Sequence, residues 1–279
     1  MHLNFAFTAV QTLWTLTFAA HLVLLVVLLG RDRARRFPWF TTAIALVAVR
    51  LIASRLLFGR LPQIEMGEIF IVLAVLSSIV GLIVVIELAR SIFGRTPRKV
   101  LTIWTIVLLA IGAVVLATWG AWPAWKTLTP TTPMAILGIL QLFAQKAGLL
   151  VDVTTVGLGL LVAFFGRRYG KGWRGHAQQI AIGLSTASLA QLAVQAIWEI
   201  IAKTTVPHSM EEYQRILGLR EKLFNANSVI YLLVAIWWIA CLWIDEPGSP
   251  AEQAVPVEIG APEGNDTSES LELPGGTQE

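Results

Sequence analysis

Few side chains in this chain are equipped for chemistry, and their placement is regular. Gln141, Gln145, Gly148 and Asp152 recur at i, i+4, i+7 and i+11, and Ser188, Gln191, Gln195 and Glu199 recur at i, i+3, i+7 and i+11. At 100° per residue each set falls on one face of a helix. Arg50 and Arg55 stand in another apolar run, and Asn225, Asn227, Ser228 and Tyr231 open the last one. Lys146 is off the first stripe by about a third of a turn. Amides and hydroxyls orient a ligand, and guanidinium groups match an anion. The candidate binding residues for a small polar or anionic ligand are therefore Arg50, Arg55, Gln141, Gln145, Asp152, Gln191, Gln195 and Glu199. The same residues also suit a structural network. In that use Arg50 or Arg55 pairs with Glu199 or Asp152, and the amides bridge helices for about 0.6–2 kcal/mol each.

Catalytic chemistry finds no matching constellation. A retinal Schiff base needs a lysine in the last apolar run, and 223–244 has none. A pair of intramembrane aspartates is missing, because Asp152 has no second. "GLST" at Gly183–Thr186 has no histidine in a later span, and "EEYQR" at 211–215 misses a glutamate–arginine protease spacing by one residue. His21 is alone at mid-run and reads as a satisfied core histidine, with His176 and His208 at the edges. No metal-ligand cluster or phosphate-cradling glycine loop occurs. The expectation is a protein that is not an enzyme, with no metal and no cofactor.

What must position the polar stripes is a membrane. Charged residues make up 14% of the 279, hydrophobic residues 56%, and 11 are tryptophan. About 20 apolar residues at 1.5 Å rise cross the hydrocarbon core, and seven runs qualify: about 5–29, 38–58, 67–90, 100–120, 134–165, 177–202 and 222–244. The fold class expected is all-α, a polytopic seven-helix bundle over residues 1–245, since lipid tolerates no unpaired backbone. The first run has no Lys or Arg before Arg31, which predicts a retained anchor in place of a cleaved signal.

Charge sets direction. The odd-numbered gaps hold Arg31, Arg33, Arg35, Arg36, then Arg90, Arg95, Arg98, Lys99, then Arg167, Arg168, Lys171, Arg174, twelve in all. The even-numbered gaps hold six: Arg60, Lys126, Lys203, Arg215, Arg220 and Lys222. Basic short loops stay cytoplasmic, so the N-terminus is expected outside and the C-terminus inside a bacterial inner (plasma) membrane. The basic residues sit in gaps between spans, which excludes a nucleic-acid partner and makes the lipid bilayer the first partner. Phe37, Trp39 and Phe40 are expected as interface anchors, as are Trp119, Trp122 and Trp125 on the other face. Glu87, near Arg90, is expected to snorkel. From Asp245 onward the chain has nine acidic and no basic residues, with frequent Pro and Gly, so 246–279 is expected to be a disordered cytoplasmic tail. Ser209 and Glu212 fit a capping box for a short amphipathic helix before the seventh span. Gly157 and Gly159 are candidate hinges, and the small residues Ala113, Ala117, Ala121, Ala177, Ala181 and Ser185 are packing seams.

The runs "RRFPWFTT", "FGRRYGKGWRGHAQQIAIGLS" and "IWWIACLWIDEP" resemble those of uncharacterised bacterial seven-span membrane proteins over residues 5–247. In layout the chain is similar to the seven-helix sensor modules of bacterial signalling receptors. That resemblance implies an outward sensing face and a cytoplasmic response. No output domain follows the seventh span, so signalling is expected to need a separate protein partner or a homo-oligomer. A sensor needs polar lining in the outer half only, which these stripes supply. The alternatives are a small-solute transporter, which needs the lining continued inward, and a structural or accessory subunit.

Overall fold

The structure, a computed structural model, describes residues 9–57, 60–93, 98–119, 133–169, 175–205 and 209–245. The expected tail 246–279, the start of the first span, and Trp122 and Trp125 lie outside these residues. The described chain is all-helical: α1 (Ala9–Gly30), α2 (Arg33–Arg36), α3 (Pro38–Leu57), α4 (Gln63–Phe93), α5 (Arg98–Thr118), α6 (Pro133–Tyr169), α7 (His176–Thr204) and α8 (Met210–Trp243). Six of them, all but α2 and α5, are long and apolar enough to cross a membrane.

These six helices close a ring. α1 packs on α3, α3 on α4, α4 on α6, α6 on α7, α7 on α8, and α8 back on α1. α5 stands outside the ring against α6. Its register there is antiparallel, with Leu108 opposite Gly157 and Gly112 opposite Leu150, and Lys146 Nζ donating to the carbonyl of Trp119. α4 and α6 run in the same direction along one cavity wall, Gly67 and Phe70 keeping company with Gln141 and Gln145.

One end of the ring, here the base, holds the core. It gathers Leu24, Val27 and Leu28 of α1, Phe40 and Ile44 of α3, Val84, Leu88 and Ile92 of α4, Leu158 and Val162 of α6, Ile180 and Ala181 of α7, and Trp238 and Leu242 of α8. Trp238 is fully buried. Its indole meets Phe40 edge-on at 5.2 Å and lies on Gly183, where an added Cβ would collide with the ring nitrogen. Gly159 likewise lets α6 close on Ser185 of α7. Ser185 Oγ donates to the carbonyls of Thr155 and Ala181, both at 2.7 Å. Gly157 and Gly159 are thus close-approach points within an unbroken helix.

Polar residues at the base correct several expectations. Phe37 and Phe40 are fully buried and belong to the core; Trp39 alone of that trio stays exposed. Pro38 starts α3 directly after the short turn of α2, and the tight reversal tucks the flanking phenylalanines inward. Glu87 does not snorkel toward Arg90. Its carboxylate accepts from the backbone N–H groups of Trp39 at 3.2 Å and Phe40 at 3.1 Å. The first N–H groups of a helix have no intrahelical acceptor, and an anion there also meets the favourable end of the helix dipole. α4 therefore caps α3. Glu87→Ala is expected to cost about 0.5–2 kcal/mol, read as a lower thermal midpoint in detergent, with Glu87→Gln losing less. Nearby, Arg33 and Arg31 pair with Asp245 at 2.7 and 3.5 Å, tying the first turn to the end of α8.

The expected separate amphipathic helix is absent as such. Ser209 Oγ does accept from the N–H of Glu212 at 3.2 Å, but the helix it caps runs on without a break to Trp243. Between the cap and the apolar run only Gly218 weakens helix formation, and a lone glycine does not end a helix.

Candidate functional site

Away from the base the ring does not fill. A cavity of about 900 Å³ lies between α3, α4, α6, α7 and α8. Seven of the eight expected residues line it: Arg50, Gln141, Gln145, Asp152, Gln191, Gln195 and Glu199. Arg55 does not. It follows Arg50 by five residues, about 140° around a helix, and its guanidinium instead lies 6.0 Å over the ring of Trp14.

The expected ion pairs do not form among the described residues. Glu199 is held by Lys203, one turn along α7, at 2.7 Å. Asp152 accepts from Ser188 Oγ at 2.8 Å. Arg50 reaches neither carboxylate, because α3 belongs to a different stretch of the ring wall from α6 and α7. One amide bridge of the expected kind exists, Asn227 Nδ2 donating to Gln191 Oε1 at 2.6 Å between α8 and α7. Gln141, Gln145 and Gln195 remain on the wall without a hydrogen bond to the described residues, which leaves their donors and acceptors for whatever fills the space.

Other lining residues were not expected. Arg220 and Phe224 come from the first half of α8, and the Arg220 guanidinium lies 5.1 Å over Trp198 and 5.5 Å over Phe224. Arg220, Phe224, Asn227 and Tyr231 follow the same i, i+4, i+7, i+11 rule as the other stripes. A break between the short capped helix and the seventh span would divide that face, and α8 has none. Lys146, off-stripe by sequence, also lines the cavity and is largely buried. Phe70, Trp119 and Trp198 add aromatic wall.

Below this space lies a second chamber of about 300 Å³, lined by Phe40, Ile44, Val47, Val84, Leu184, Ala187, Tyr231 and Trp238 among others. Val151, Asp152 and Gln191 line both spaces, so they form a waist between them. The lower chamber is apolar apart from the waist, Thr155, Ser188, Asn227 and the Tyr231 hydroxyl. That hydroxyl is engaged at 3.0 Å by Nε2 of the fully buried His21, whose Nδ1 lies 2.6 Å from the Thr17 carbonyl. A carbonyl only accepts, so Nδ1 carries the proton and Nε2 of the neutral ring accepts from Tyr231. His21 is thereby a satisfied core group, as its isolation in the sequence implied. No group of three or more His, Cys, Asp or Glu suited to a metal ion occurs among the described residues. No family model, curated protein or solved structure matches the chain.

Proposed function

We propose that this is a seven-span inner-membrane protein, N-terminus outside, that binds a small polar or anionic solute in a cavity open to the outer side and acts in the manner of a sensor. The observation carrying this reading is the convergence of Arg50, Gln141, Gln145, Asp152, Gln191, Gln195 and Glu199 on one space between helices long and apolar enough to cross a membrane. Polar groups there are costly and mark function by default, and those without protein partners have no structural work to explain them. The parallel run of α4 and α6 supports the seventh crossing, since α5 must carry the chain back between them. Release of the signal would fall to a separate protein or a second copy of the chain. The lower chamber, which carries the empty space past the waist, favours solute transport as the second reading.

Cysteine labelling tests both topology and access. In a Cys241→Ser background, Arg33→Cys and Pro97→Cys are expected to react only from the cytoplasmic side. Lys126→Cys, Gln145→Cys and Gln195→Cys are expected to react with a membrane-impermeant thiol reagent from outside. Labelling of positions 97 and 126 from the same side overturns the seven-span scheme; an inert cysteine at both 145 and 195 overturns the open cavity.

A further inference from the structure

Two opposite charges flank the boundary between the two spaces. Val47 lines the lower chamber, and Arg50, one turn further along α3, lines the upper cavity. α3 thus passes from one space to the other between Val47 and Arg50, as α6 does at Asp152, which lines both. Neither neutralises the other, and among the described residues neither has an ion-pair partner; Glu199, the other carboxylate of the wall, is already matched by Lys203. Charges at membrane depth ordinarily pair with one another. Here a cation on α3 and an anion on α6 are left apart across a space, with an apolar chamber directly beneath.

We infer that the solute carries both signs and an apolar substituent: a zwitterion of the α-amino acid type with a side chain like that of leucine or phenylalanine. Its carboxylate meets the Arg50 guanidinium, which presents paired donors to such a group. Its ammonium meets the Asp152 carboxylate, already oriented by Ser188. Its side chain enters the lower chamber against Ile44, Val84, Leu184 and the aromatic faces of Phe40 and Trp238. A monoanion would leave Asp152 unmatched and a monocation would leave Arg50 unmatched, so the site discriminates by penalty as well as by attraction. Lys146 and Arg220 add positive potential nearer the mouth, which favours the carboxylate pointing away from the chamber. This inference rests on the cavity being the solute site.

Calorimetric titration of the full chain in nanodiscs tests it with four probes: L-phenylalanine, 3-phenylpropionate, phenethylamine and glycine. Phenylalanine is expected to bind, and each of the other three, lacking one element, at least tenfold more weakly. Ala187→Phe, which fills the lower chamber, is expected to weaken phenylalanine at least tenfold and to leave glycine binding within twofold. Equal affinity for 3-phenylpropionate overturns the Asp152 contact, and equal affinity for phenethylamine overturns the Arg50 contact. Glycine binding as tightly as phenylalanine overturns the side-chain pocket. If no zwitterion binds while cysteines at 145 and 195 label from outside, the inference falls and the open cavity stands. If those cysteines are inert, the cavity reading has failed first.

Discussion

Trp238→Ala is expected to cost about 3–5 kcal/mol, the range for removing a buried aromatic from a packed core. Trp238 is fully buried where four helices converge: Phe40 of α3 meets its edge, Gly183 of α7 lies under its ring, and Tyr231 of its own helix packs at 6.5 Å, next to His21 of α1. No smaller side chain reaches all of these. The substitution also removes the floor of the lower chamber, so the ring would lose its seal at the base as well as its packing. A fall in the thermal midpoint on the order of 10 °C is expected in detergent, with Trp238→Phe retaining most of the stability. A midpoint within 2 °C of the parent for the alanine variant would mean that the base is not held by this cluster.

The bundle and its polar stripes were legible in the sequence because each depends on local facts. Length and apolarity decide what spans, and a period of 3.6 decides which residues share a face; Gln141, Gln145 and Asp152 do so wherever the helix goes. What that face meets is decided by the azimuth of every other helix, which periodicity does not carry. Arg50 and Arg55 looked equivalent as arginines in one run, yet about 140° of rotation sends one to the cavity and the other to Trp14. Glu87 looked like an interfacial carboxylate until α3 brought two orphan N–H groups to it. Phe37 and Phe40 matched an aromatic belt by position, but the turn through α2 points them into the core. The stripe led by Arg220 was hidden by a boundary: a separate short helix was expected where α8 runs on unbroken.

Arg50→Leu is expected to raise stability while removing solute response, and the opposite signs separate binding from architecture. An arginine at the centre of a spanning helix costs at least about 2.5–3.5 kcal/mol. Water in the open cavity relieves part of this, and no protein partner among the described residues relieves the rest. Leucine matches arginine in helix propensity and carries no charge that needs a partner. A gain of about 1 kcal/mol, or roughly 2–4 °C in the thermal midpoint for a chain of this size, is therefore expected, together with at least a hundredfold loss of affinity for the solute. Asp152→Asn should behave similarly in sign, because the amide keeps the Ser188 hydrogen bond without an unmatched charge. Sites retained at a cost to folding are sites retained for function. A loss of 2 kcal/mol or more on Arg50→Leu would give that arginine a structural partner and make the cavity a by-product of the network.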